Sequence, residues 1–315
     1  MLTYGQDFHL SQYEASPQYL NPAQTGIYFG ENIGHRFSSN YRTQWSSVIK
    51  QPYVTGTLSY DQPYKRFGFG GYIVENRAGS ISFNSMNVML SAAYRIIERD
   101  DHKHHLSVGL QMGLLQRGYN MNGYTFDAQY QPSMGNFDSN LPNNENFNAI
   151  NIFKYDAALG VYYKNTDSTN KYRPFGGLSI FHVTMPGQSF TDVKKRLPMR
   201  FVLNGGMEYD INKQLMYSPS LLCMYQGQAT EYLLNNYVYY QLKDSSDFRP
   251  MLGLGYRFKD ALLFHAGLKH GSNMYRISYD INVSTLRAYS SGRGAFELSV
   301  LYTLKARPPK TAARM

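Results

Sequence analysis

From residue 31 onward the chain alternates apolar and polar residues with period two, in runs of about 9 to 14 residues parted by Gly, Asn, Asp, Ser and Pro clusters. About fourteen such runs can be traced, each near the length that a tilted strand needs to cross an outer membrane. In RFVLNGGMEYDI, Phe201, Leu203, Met207, Tyr209 and Ile211 share one face, and Arg200, Asn204, Glu208 and Asp210 share the other. In AFELSVLYTL, Phe296, Leu298, Val300, Tyr302 and Leu304 oppose Glu297, Ser299 and Thr303. HLSVGLQMGLL sets Leu106, Val108, Leu110, Met112 and Leu114 against Ser107, Gly109, Gln111 and Gly113. A soluble sandwich turns an apolar face inward and a charged face outward. Here one face is apolar throughout and the other is small or polar, which suits a barrel with lipid outside and a wet or crowded interior. The pattern therefore predicts an all-β, antiparallel transmembrane barrel of about 14 strands.

Connection lengths fit that reading. If the first strand runs outward, RTQWSSVIKQP is its exit loop, and the turns DQPYKR, RDDHKHH, NTDSTNKY and INKQ fall on the periplasmic side. The long segments 119–150, 184–197 and 283–293 fall outside. An even number of strands returns the chain to the side on which the barrel began. The glycines in FGFGGY, FGGLSI, LNGGM and LGLGYRF lie within strand-like text with no helix after them, so they mark bends or close packing and not a phosphate cradle.

Composition sharpens the picture. At 315 residues, with 43% hydrophobic residues, the length suggests two domains, yet closed all-β folds run longer as one unit. No window approaches the roughly 20 apolar residues of a spanning helix. The chain holds 29 Tyr and 18 Phe against one Trp, and only 17% charged residues. Tyrosine joins an apolar ring to a polar tip, as a surface between lipid and water requires. Cys223 is alone, so no disulfide forms within the chain. The net charge of +9 is scattered, apart from Lys194, Lys195, Arg196 and the tail KARPPKTAARM. A nucleic-acid surface would gather its charge on one face, so none is expected.

Candidate chemistry is sparse. Asp100, Asp101, His102, His104 and His105 in DDHKHH could ligate a metal, but no second ligand set accompanies them, and a solvated hairpin turn is the expectation. Ser179 and His182 in GLSIFHV, and His265 and His270 in FHAGLKHG, match no nucleophile elbow, so no catalytic residue and no cofactor is expected. The loops are richer. Tyr124, Phe126, Tyr130, Phe137 and Phe147 punctuate the first, and Phe190 stands before Lys194, Lys195 and Arg196 in another. Aromatic anchors in polar loops are the usual furniture of protein-binding surfaces, and loops that narrow the pore are the alternative.

The N-terminal text carries a signature. Gln6 and Asp7, Ser11 to Tyr13, the step Leu20, Asn21, Pro22, Ala23, and the run Asn40 to Trp45 with Arg42, Gln44 and Trp45 together resemble the PorP/SprF family of the type IX secretion system in Bacteroidetes. The C-terminal SYDINVSTLRAYSSGRGAFELSVLYTL resembles the family's closing strands, although KARPPKTAARM follows Leu304 where such barrels commonly end on an aromatic residue.

The resemblance implies an outer-membrane component of the export and gliding machinery, and MLTYG then reads as the remnant of a leader. It implies a non-enzymatic role in binding and anchoring the C-terminal domain of a secreted surface adhesin. Other partners would be periplasmic components linked to the motor or to peptidoglycan, and outer-membrane lipid. A passive channel for small solutes is the alternative that the barrel alone would permit. The expected organisation is a periplasmic or luminal segment over 1–30, a barrel over 31–304 and a basic tail over 305–315. Pro22 fixes its own φ and Gly26 lets the chain reverse, so the stretch can hold one shape with few contacts, and the resemblance implies an ordered segment, a disordered leader to the first strand being the alternative.

Overall fold

The alternating runs become fourteen antiparallel strands that close on themselves. The computed structural model describes residues 7–28, 32–45, 52–78, 83–98, 103–119, 125–142, 151–190, 195–242, 247–285 and 287–306. In chain order the strands are β1 (Ile33–Gln44), β2 (Tyr53–Tyr64), β3 (Phe67–Ala78), β4 (Phe83–Glu98) and β5 (His104–Gly118). Next comes a two-stranded hairpin, β6 (Tyr130–Gln131) and β7 (Asn136–Phe137), which stands apart from the wall. The wall resumes with β8 (Asn151–Asn165), β9 (Tyr172–Phe181), β10 (Arg200–Asp210), β11 (Leu215–Gln226) and β12 (Ala229–Tyr240). It ends with β13 (Phe248–Arg257), β14 (Ala261–His270), β15 (Asn273–Asn282) and β16 (Arg293–Lys305). Each wall strand pairs with its neighbour in sequence, β5 pairs with β8 past the hairpin, and β1 pairs with β16 to close the circle.

Closure matters because a strand edge in hydrocarbon would leave backbone groups without partners. The outward faces suit that solvent: Leu58 is 59% exposed, Leu90 73% and Leu252 70%. Aromatic residues crowd both ends of this face. Phe67, Tyr94, Tyr172, Tyr240 and Phe248 lie toward the short turns, and Tyr41, Tyr155, Phe201, Tyr225 and Tyr232 lie toward the long loops. Such girdles are typical of membrane barrels.

Several boundaries differ from the sequence reading. Arg42 and Gln44, placed above in an exit loop, belong to β1, and Asp61, placed in a turn, belongs to β2. Both charges are neutralised inside the barrel, so neither ends its strand. His104 and His105 open β5, with His105 only 3% exposed. Ladder pairing with Asn165 and Lys164 holds them there.

A barrel of this width is too wide for wall side chains alone to fill. Residues 7–28 fill it. The short helix α1 (Pro17–Leu20) and two 3-10 turns, Tyr13–Ala15 and Pro22–Gln24, fold this stretch into a plug. Its Tyr13 and Leu20 pack against Ala158, Phe181, Val202, Leu222, Leu233 and Leu263 of the wall. Phe8 stacks on Tyr19 at 5.2 Å and packs against Tyr72, Val74 and Met89. The core therefore lies in the lumen, between plug and wall.

Candidate functional site

The plug threads the barrel from end to end. Asp7 meets His182, Arg200 and Gln226, all at strand ends beside the long loops. Tyr28 and Gly26 meet Asp61, near the turn that joins β2 to β3. Four groups of contacts fasten it along the way.

The first holds Asp7. Its carboxylate lies 2.6 Å from His182 Nε2 and 3.2 Å from Arg200, and the other ring nitrogen of His182 lies 2.6 Å from Asp156. Arg200 also donates to the Tyr19 hydroxyl at 2.6 Å and stacks over Phe181. Burial alone would lower the His182 pKa, but Asp7 and Asp156 outweigh it and raise it from 6.5 to about 9. Burial works against the Asp7 carboxylate too, and His182, Arg200 and Arg117 hold it well below the usual range.

The second explains Ser11 and Gln12. Their backbone N–H groups donate to the two oxygens of Glu297 at 2.8 and 2.9 Å. Ser11 Oγ donates to Asp280 at 2.8 Å and accepts from Arg42 at 2.6 Å and from Arg257 at 2.7 Å. Arg42 also bridges Asp280 at 2.9 Å and Glu297 at 3.0 Å. All are within a few per cent of full burial. Buried charges of this kind persist because each is paired and hydrogen-bonded.

The third is the Leu20–Ala23 step. Asn21 Nδ2 donates to the Val161 and Leu178 carbonyls at 2.9 and 3.2 Å, and its Oδ1 caps the next turn through Ala23 N–H at 2.9 Å. Ser107 and Ser179 donate to the Ala23 and Leu20 carbonyls. The floor of this cradle is glycine. A Cβ on Gly109 would stand 2.3 Å from the Pro22 carbonyl carbon, and one on Gly160 would stand 2.1 Å from Asn21 Oδ1.

The fourth group sits at the short-turn end. Asp61 accepts from Gly26 N–H at 2.9 Å and from the Tyr28 hydroxyl at 2.8 Å, and Arg36 bonds both Asp61 and the Gln24 carbonyl. Gly26 has φ of +59°, and its backbone presses on Gly68.

The other sequence candidates are dispersed. Trp45 stacks edge-on against Tyr53 and lines a cup of about 500 Å3 whose floor is Asp7, Phe8 and His9. Tyr130 and Phe137 face each other at 5.0 Å on the β6–β7 hairpin, with both rings exposed. Phe126 precedes that hairpin, and Phe190 packs on Tyr119 at 4.2 Å. Lys195 and Arg196 are exposed. Tyr124, Phe147, Lys194, Asp100, Asp101 and His102 lie outside the described residues, as do residues 307–315 of the tail. His104 bonds the Tyr163 hydroxyl at 2.8 Å and His105 bonds Thr166 at 2.9 Å. Among the described residues no group of three or more His, Cys, Asp or Glu is gathered for a metal. Sequence reasoning passed over Asp7, Asp156, His182 and Asp280 as site residues; for Asp156 in β8 and Asp280 in β15 the signal was charge on the inward face, and for Asp7 and His182, which lie outside the strands, no local signal existed.

The first clasp makes stability depend on pH. The raised His182 pKa contributes stability in full below 6.5 and loses it as pH rises through about 9. The lowered Asp7 pKa contributes above 3.8 and loses it in acid. The unfolding midpoint in micelles is expected to fall between pH 7 and pH 10, and His182→Gln should flatten that fall. A wild-type profile in the variant would remove His182 from the clasp.

A family profile described as "Type IX secretion system membrane protein PorP/SprF" matches residues 2–302. Among solved structures, the chain is similar to the toluene transporter TbuX of Ralstonia pickettii, with TM-score 0.54 and 11% identity over 93% of this chain and 94% of that one. It is also similar to the monoaromatic hydrocarbon channel CymD, with TM-score 0.51 and 14% identity over 93% of each chain. A deltaS2S3 variant of the channel TodX gives TM-score 0.53 and 11% identity over 91% of this chain and 93% of that one. At such identities the likeness is one of fold alone. No curated protein matches the chain.

Proposed function

This chain belongs to the PorP/SprF family of type IX secretion system membrane proteins, and from that premise we propose that it is a non-conducting outer-membrane anchor. Its long-loop face would grip the C-terminal domain of a secreted surface adhesin, with no chemical turnover. The observation that carries this reading is the filled lumen. A barrel threaded by residues 7–28, which Asp7 ties to His182 and Arg200 and which Ser11 and Asn21 tie to the wall by hydrogen bonds, is built as a scaffold, and the passive-channel alternative would require that stretch to leave.

In an outer membrane the long loops face outward and the short turns face the periplasm. The exposed Tyr130 and Phe137 then stand on the cell-surface side, with Lys195 and Arg196 available for an acidic patch. Aromatic side chains commonly supply most of the affinity at such contacts. The test is co-purification of the tagged barrel with an adhesin C-terminal domain from the native membrane. The affinity behind capture is expected to drop by about thirtyfold or more in Tyr130→Ser with Phe137→Ser, since paired aromatic anchors carry about 2 kcal/mol or more. Undiminished capture would move the docking surface elsewhere, and no capture by the wild-type barrel would sink the anchor reading.

A further inference from the structure

The short-turn rim carries a second cavity of about 500 Å3, set among the ends of β9 to β13. That volume lies within the roughly 300 to 1,000 Å3 of ordinary binding sites. Its charge is one-sided. Lys171, Arg173, Lys213 and Arg249 line it against one carboxylate, Asp210, which Arg173 already holds in a two-pronged pair. Lys171, Lys213 and Arg249 make no ion pair among the described residues, and both lysines are exposed. Like charges gathered without partners repel one another, so the arrangement favours a ligand that brings several anions.

The fold sets the spacing of those anions. Lys171 precedes β9, Lys213 sits in the turn between β10 and β11, and Arg249 lies at the start of β13. With strands about 4.8 Å apart, the three cations spread over an arc of roughly 20 Å. A lone phosphate or carboxylate reaches only one of them. An extended polypeptide carries alternate side chains on one side about 6.6 Å apart, so acidic residues at every second position can meet all three, and the long cationic stems cover the remainder. The rest of the lining suits a polypeptide too. Ile211, Leu215 and Met216 offer apolar contact to the side chains between the carboxylates, for which a phosphate polymer has no use. Lipid headgroups are on the wrong side. Arg173, Met216 and Tyr239 face the lumen, while the exposed rings of Tyr172, Tyr240 and Phe248 hold the bilayer side of the same wall.

We propose that this cavity docks an extended acidic segment of a periplasmic polypeptide, with carboxylates at alternate positions on Lys171, Lys213 and Arg249. The site is separate from the long-loop face and stands or falls without the adhesin reading. The probe is a fluorescent heptapeptide, Ser-Glu-Val-Glu-Val-Glu-Ser, titrated by anisotropy against the full-length chain in micelles at low salt. Its partner carries glutamine in place of the three glutamates. The acidic peptide is expected to bind at least about tenfold more tightly, since an exposed pair is worth about threefold and three of them multiply. Lys171→Gln, Lys213→Gln and Arg249→Gln should each weaken it by about threefold, and the triple variant by about tenfold or more. Lys65→Gln, in the turn between β2 and β3 across the barrel, should leave it unchanged. Heat-modifiable migration checks that each variant is folded. Phosphatidylglycerol added to the micelles should not displace the peptide. Equal binding of the two peptides, absence of binding by both, a folded triple variant that binds as wild type, a loss in Lys65→Gln as large as in the others, or displacement by phosphatidylglycerol would each overturn the proposal.

Discussion

Arg42→Ala is expected to lower the unfolding free energy by about 3–5 kcal/mol, the usual cost of removing one partner from a buried ion pair. The side chain is 2% exposed and touches Asp280, Glu297 and Ser11. Its loss leaves two carboxylates close together in a space with little water, with Arg257 still beside Asp280 at 3.3 Å. Lysine should rescue little, because a single ammonium cannot reproduce the fork that reaches two carboxylates and a hydroxyl. Urea unfolding in micelles measures the effect, and an unchanged denaturant slope would confirm that stability alone had moved. A loss below about 1 kcal/mol would place Arg42 among solvated pairs, where such small values are normal.

Gly109→Val should displace the plug and leave the barrel standing. All three nearest atoms that a Cβ would strike belong to the plug backbone, the Pro22 carbonyl carbon at 2.3 Å and the Pro22 oxygen and Ala23 N at 2.4 Å. Strand β5 is held on both sides by β4 and β8, so the wall cannot retreat. Overpacking of this kind costs about 1–3 kcal/mol, enough to lift one clasp without unfolding the wall. The variant is expected to keep heat-modifiable migration and to gain steady conductance in planar bilayers. Gly56→Val is the control, because a Cβ there meets nothing within 4 Å. A silent Gly109→Val barrel would mean that the plug accommodates the insertion.

Much of this architecture was legible in the chain. Alternation in RFVLNGGMEYDI and AFELSVLYTL separates the lipid face from the inner face, because the pleat sends successive side chains to opposite sides. The clasps were harder to read. Arg42 meets its acids 238 and 255 residues away in sequence, and nothing local marks the pairing. Beside a loop, Arg42 reads as a solvated charge, and only the closure of β1 on β16 brings it to Glu297. His182 follows an ordinary strand and gains its role from Asp7, at the far end of the plug. The glycines were read as marks of bends or close packing. What the plug adds is the partner, since Gly68 of FGFGGY makes room for Thr25 and Gly26, and Gly177 of FGGLSI makes room for Asn21.

Residues 7–28 are expected to close the lumen to ions. Planar-bilayer recording of the intact chain, beside the same chain lacking those residues, tests it most directly. The intact barrel should be silent, and the deletion should leave a steady, ohmic pore. Steady conductance by the intact chain, or equal currents from the two, would contradict it.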